Sequence, residues 1–280
     1  MDALTLWWLL TVALAALAAV LMPLALIDRR RLDGASVWAK PIKFSVSLAI
    51  HFLTLALVTA ALAPSVSSNL ALTIVAIAAV AATLYEMAYI VFRAARAERS
   101  HFNVATPLAA ALYAGMAAGA VVITLAAGAV GLAVVIDGAA GLGQATWLGT
   151  VIGLLGGSVL TLLTAFPIGA ALSRYVGTAP ADERRMPLTG WSLDVADRRI
   201  PHFLGTHAVQ ALPLAGLVLD ALLPAAAATV SILFLSALYI LAVFLSARLV
   251  ARGIALPHWG RALLGRPLDR APLAGAKPNL

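Results

Sequence analysis

The sequence predicts an all-α integral membrane protein: a bundle of seven transmembrane helices with its N-terminus outside and its C-terminus in the cytoplasm. Composition predicts the membrane. Of 280 residues, 62% are hydrophobic and only 11% charged, and the mean hydropathy is +0.99. A soluble domain of this size could not cover its surface with so few polar groups. Segment length predicts helices, because the apolar runs reach about twenty residues or more, whereas barrel strands run near ten and alternate. Charge placement predicts the topology. With spans at 4–27, 41–63, 70–92, 105–128, 146–172, 202–222 and 225–247, all 19 Lys and Arg residues fall on one side. The positive-inside rule makes that side cytoplasmic, which suits a bacterial inner membrane.

The net charge of +7 therefore reads as topology plus attraction to anionic lipid, not as a nucleic-acid surface. With no cysteine, disulfides, thiolate metal sites and cysteine nucleophiles are excluded.

The first run has Asp2 and no basic residue before it, and it exceeds a signal-peptide core in length. It reads as a retained span with Trp7 and Trp8 near the outer interface and Arg29–Arg31 anchoring the inner end. Ser36–Phe44 opens the second span. Pro41 suits a first helical turn, and Trp38, Lys40 and Lys43 read as an interfacial anchor with snorkelling lysines. Ser47, His51 and Thr54 follow at i, i+4 and i+7, a polar stripe expected to face other helices.

The third span ends in Thr83–Arg93, where Thr83, Glu86 and Arg93 share a face. Glu86 is the one acidic residue expected deep in the hydrocarbon, where it would be protonated, ion-paired or bound to a cation. Spans four and five read as scaffold. Gly115 and Gly119, and then Gly149, Gly153 and Gly157, are spaced for close helix approach. Apolar sequence continues to Ile136, so the fourth span is expected to tilt or to end in an outer re-entrant turn. Pro167 is expected to bend the fifth span. Residues 173–201 form a cytoplasmic loop, either a lid over the mouth or an interfacial Trp191 among solvated charges. The tail, 248–280, reads as a basic inner-leaflet anchor.

Three ionisable side chains reach deep into apolar sequence. His51 lies eight residues inside Lys43, Glu86 seven inside Arg93, and His207 eight inside Arg199, roughly 10–12 Å from the basic belt. Gln210 lies one turn beyond His207, and His101 and His202 lie nearer the cytoplasmic edge. Intramembrane ionisable groups are functional candidates by default.

These residues favour a membrane-embedded metal- or haem-dependent enzyme, an oxidoreductase or a metal-dependent hydrolase. A proton-coupled transporter or channel and a non-catalytic subunit are the alternatives. A His51/Glu86/His207 set with an open position suits zinc or non-haem iron, with Gln210 and Arg93 behind it and Glu86 alternatively the general base. A b-type haem held by His51 and His207 would place Lys40, Lys43 or Arg199 near its propionates. In both versions His101, His202 and the Trp191–Arg199 segment would line the mouth, and the substrate would be lipophilic or quinone-like. A protonatable network of Glu86 and the histidines would instead couple proton movement to transport. The set is also compatible with interhelical hydrogen bonding in a non-catalytic subunit of a homo-oligomer or larger membrane assembly.

The words Trp38-Ala-Lys-Pro-Ile-Lys-Phe44, Glu86-Met87, Ser100-His-Phe-Asn103, Leu188-Thr-Gly-Trp-Ser192 and Pro201-His-Phe-Leu-Gly-Thr-His-Ala-Val-Gln210 resemble those of a widespread family of bacterial multi-pass membrane proteins. The resemblance spans most of the chain. It implies a multi-pass membrane protein and assigns no activity, cofactor or site residue.

Overall fold

The structure is a computed structural model that describes residues 1–138 and 141–255. The expected tail beyond 255, with Trp259 and its arginines, lies outside the described residues. Among the described residues, seven helices are long and apolar enough to cross a membrane, the architecture of a multi-pass membrane protein. They are α1 (Ala3–Ile27), α2 (Ala39–Ala60), α3 (Leu70–Ala95), α4 (Pro107–Asp137), α5 (Gln144–Ala170), α6 (Arg199–Leu222) and α7 (Ala225–Ala251). A one-turn helix, Pro64–Ser67, links α2 to α3.

The helix starts follow local chemistry. Asp2 caps α1 by accepting from Thr5 N at 2.9 Å, and Asn69 caps α3 through Ala71 N at 2.8 Å. Thr106 caps α4 through Ala109 N at 3.1 Å, just before Pro107, a residue suited to the first turn. α5 begins after glycine and borrows its cap from α6. The Asp220 carboxylate accepts from Ala145 N at 3.2 Å and from Thr146 N at 2.7 Å.

The helix ends differ from expectation in informative places. α4 runs unbroken to Asp137, where Gly138 closes it in the left-handed conformation. No re-entrant turn forms, because nothing in the apolar run interrupts the backbone ladder before that glycine. α5 contains a π-helical turn, Ile152–Gly156, which the helical periodicity alone did not reveal. Trp38 is not an interfacial anchor. It is buried, and its indole N–H donates to Asp28 at 2.9 Å. Trp7 is likewise fully buried, stacked on Phe52 with centroids 5.6 Å apart.

Helices α1, α2 and α3 pack on one another, as do α5, α6 and α7; α4 joins the two groups, and α2 also reaches α6. The main core, with Trp7, Phe52, Leu55, Ala126 and Val130, runs through the first group and α4 and reaches α5 and α6 at Leu154 and Val209. The α5–α6 seam is closer than ordinary side chains allow. A Cβ at Gly149 would collide with the Leu212 carbonyl, and one at Gly216 with the Ala145 carbonyl. The small-residue pattern expected from the sequence is thus matched by a second set on α6, and backbones approach directly, as apolar helices do when side-chain burial offers little drive.

At the basic end, two short hairpins add shape. β1 (Arg31–Leu32) pairs with β2 (Ala35–Ser36) around an Asp33-Gly34 turn with φ of 52° and 80°, the two-residue turn that this dipeptide favours. β3 (Tyr175–Val176) pairs with β4 (Ala196–Asp197), so residues 173–198 form a folded cap rather than a linker. Arg184 pairs with Asp194, the Ser192 amide donates to Asp197 at 3.1 Å, and Trp191 meets Phe203 edge-on at 5.1 Å.

The seam yields a clear expectation. Gly216→Ala should lower the thermal stability of the purified protein by about 1–3 kcal/mol, the usual cost of overpacking. A Gly138→Asn control, placed where an added Cβ meets nothing within 4 Å among the described residues and where Asn tolerates the same φ, should be nearly neutral in the same melt.

Candidate functional site

The candidate residues separate into two clusters that meet at α2. In the first, Lys40 sits in the first turn of α2 and turns inward. Its Nζ donates to Ser100 Oγ at 2.7 Å and lies 5.6 Å from the Phe44 ring centroid. The expected snorkelling therefore does not occur at Lys40. Lys40, Phe44 and His51 recur at i, i+4 and i+11, one face of the helix, and His51 is buried at 8% exposure.

Ser100 Oγ also lies 3.3 Å from His101 Nδ1. The His101 ring packs against Phe44, Phe102 and Tyr113 with centroids 5.7, 6.3 and 6.1 Å away. Expected at the mouth, His101 is instead wedged among aromatics, and that burial together with the Lys40 charge pushes its pKa down to about 3. The imidazole is therefore neutral at physiological pH. Phe102 holds φ of 61°, an unusual conformation for a bulky residue in the loop that presents Ser100 and His101.

Glu86 is 5% exposed and lies within electrostatic reach of Lys40, yet no hydrogen bond or ion pair engages it among the described residues. Its carboxylate packs on α4 where a Cβ at Gly119 would stand 3.4 Å from Oε1. One turn along, Gly115 makes room for Tyr85, whose hydroxyl donates to the Leu112 carbonyl at 2.8 Å. The glycine pair read as scaffold also makes room for side chains of α3, Gly119 for Glu86 and Gly115 for Tyr85. On the same α3 face, the hydroxyls of Thr83 and Tyr89 are buried without a protein partner. Buried hydroxyls in that position are ordinarily satisfied by solvent.

The second cluster joins α2 to α6. His51 Nε2 is buried and unpartnered, and His51 and His207 are within electrostatic reach of each other. The His207 ring stacks on Phe203 at 3.9 Å, and its Nδ1 lies 2.8 Å from the Phe203 carbonyl. A carbonyl can only accept, so Nδ1 carries the proton in that contact, and Nε2 of the neutral ring keeps its lone pair.

Several expected groupings do not form. No three His, Asp or Glu side chains among the described residues converge to hold a metal ion. The His51/Glu86/His207 ligand set is therefore not assembled among the described residues: Glu86 packs against Gly119 within electrostatic reach of Lys40, while His51 is within electrostatic reach of His207. The helix ends lie beyond Lys43 and Arg93 on two of the three helices: α2 begins at Ala39 and α3 continues to Ala95, while α6 begins at Arg199. Along their own helices, His51 lies about 18 Å from the basic end, Glu86 about 14 Å and His207 about 12 Å.

Arg93 does not back Glu86; two turns away, it pairs with Glu98 at 2.7 Å. His202 is not a rim residue, since its Nδ1 meets Thr164 on α5 at 3.2 Å. Gln210 is half-buried on α6 and makes no side-chain hydrogen bond among the described residues. Lys43 and Arg199 both hold the cap, donating to the Thr189 and Gly190 carbonyls at 3.3 and 2.8 Å. Arg199 also pairs with the buried Asp197 at 2.5 Å. In the second span, Ser47 is exposed and Thr54 bonds to the Ile50 carbonyl, so His51 alone of that stripe faces inward. Sequence reasoning missed Ser100 as the partner of Lys40, and Tyr113; the shared face of Lys40 and His51 was the available signal.

No protein-family profile, curated protein or solved structure matches the chain.

The environment of His101 predicts an acid-side instability. Its pKa falls from the ordinary 6.5 to about 3 on folding. Above pH 6.5 both states are neutral and no penalty arises. Between pH 6.5 and about 3 the unfolded chain takes up a proton that the folded chain refuses, so stability falls as pH falls. His101→Phe should flatten that part of a plot of melting temperature against pH.

Proposed function

We propose that the chain is a multi-pass protein of the bacterial cytoplasmic membrane, N-terminus outside and C-terminus inside, that moves protons through Glu86, alone or coupled to a solute. The observation that carries this reading is a buried carboxylate with no ion pair or hydrogen bond among the described residues, set in an apolar bundle within electrostatic reach of the Lys40 ammonium group. Such a group is tolerated in a membrane when it takes up and releases a proton or a passing cation, which is why ionisable residues inside spans mark proton routes. Thr83 and Tyr89 flank Glu86 with unpartnered hydroxyls. Lys40, Ser100 and His101 continue the polar line towards the basic end.

In this reading Glu86 is the carrier. Lys40 sets the charge balance of the site, while Ser100 and His101 hold Lys40 in place and keep its head out of lipid. Reconstituted into liposomes under an imposed membrane potential, the protein should pass protons, read with an internal pH dye. Glu86→Gln should reduce that flux to the protein-free background, and a flux unaltered by this substitution would sink the reading.

A second reading keeps the enzyme class: a membrane oxidoreductase acting on a lipophilic or quinone-like molecule through haem b held by His51 and His207. Two imidazoles on facing helices, each with a ring nitrogen free of hydrogen bonds, favour a two-ligand haem over a three-ligand zinc or iron site. Haem would supply one-electron transfer, and the histidines would fix its iron. Protein purified from haem-replete cells should then show a Soret band that His51→Ala or His207→Ala removes. Wild-type protein without the band, and without stoichiometric metal, would count against it.

A further inference from the structure

We propose that the cavity beneath the 173–198 cap is a binding site for a phosphate group, carried either by a lipid headgroup or by a free ion. The cavity has a volume of about 460 Å³ and lies between the β1–β2 turn, Arg99 and the cap. That volume is in the range of small-molecule sites. Its charged walls are Arg99, Arg174, Arg185, Asp33 and Glu183.

Charge pairing within the cavity leaves one cation over. Arg99 grips Asp33 with two bonds of 3.0 and 2.6 Å. Arg185 pairs with Glu183 at 2.7 Å and donates to the Asp33 carbonyl at 2.5 Å. Arg174 has no carboxylate partner among the described residues. Its guanidinium lies over the Tyr175 ring, 4.7 Å from the centroid, and Tyr175 in turn donates to Glu183 at 3.0 Å.

The unpaired guanidinium is also held in position. Tyr175 is in register with Asp197 across the β3–β4 pair. The Arg198 amide donates to the Arg174 carbonyl at 2.7 Å, and the Arg198 side chain donates to the Tyr175 carbonyl. An ordinary surface arginine would be free to turn to solvent. This one is fixed by its backbone and ring contacts, facing a cavity whose two carboxylates are already neutralised. Lys40 and Arg199 lie within electrostatic reach of the same region and add positive potential below it. A planar guanidinium suits an oxyanion that accepts two parallel bonds, and phosphate offers that geometry with the highest charge. The walls at Ala179 and Ala181 are small, leaving room for the group that carries the phosphate.

The test uses the purified full chain at low ionic strength. One arm measures binding of inorganic phosphate by calorimetry. A second measures lipid retained after reconstitution in phosphatidylcholine vesicles with and without phosphatidic acid, by mass spectrometry. Saturable binding is expected in at least one arm, with Arg174→Gln weakening it at least about tenfold, the scale of one lost charged contact. Binding in the phosphate arm assigns a free ion, and retention of phosphatidic acid alone assigns a headgroup. Arg174→Gln breaks no ion pair, and Ala179→Trp, which fills the cavity, should abolish binding independently. Absence of binding in both arms, or wild-type affinity in both variants, overturns the proposal. Binding is read at equilibrium without a proton gradient, so its failure is distinct from a failure of proton flux.

Discussion

Lys40 donating to Ser100 at 2.7 Å is the contact on which the polar end of the bundle depends. An ammonium group in an apolar helix must find either water or a protein acceptor. By turning inward, Lys40 draws the start of α2 against the connection between α3 and α4. That single choice wedges His101 among aromatics and brings a positive charge within reach of Glu86. It also clears the outer face of α2, where Lys43 points outward and holds the cap instead.

The cap and the helices are coupled through this arrangement. Arg199 begins α6, yet its guanidinium reaches back to Asp197 and Gly190. Arg185 reaches across to the hairpin after α1. Charged residues that would be solvated singly at a lipid headgroup layer are instead folded into a network over the helix ends. Exposed ion pairs contribute little individually. Their effect here is positional, because Asp197 is fully buried and the segments it joins are short.

The α5–α6 seam answers a different constraint. Helices in an apolar solvent gain little from burying apolar side chains, so backbone proximity and interhelical polar contacts carry the association. Gly149 and Gly216 permit that proximity, and Asp220 closes the start of α5 from the end of α6. The seam fixes α6, which carries His207 within electrostatic reach of His51.

Much of the fold was legible in the sequence because it follows from local quantities. Span number follows from run length and hydropathy, and most helix starts follow from Asp2, Asn69 and Thr106–Pro107. Glu86, His51 and His207 were identifiable because an ionisable group in apolar sequence is conspicuous on its own. The grouping of these residues depends on helix rotation and on which helices touch, and one sequence does not encode either visibly. Depth along the chain suggested a single three-helix site. Packing did not assemble it: Gly119 on α4 receives Glu86, and no three His, Asp or Glu side chains among the described residues converge. Lys40 shows the difference most plainly: the chain marks it as a charge at a helix end, and only tertiary contacts determine that its charge points inward.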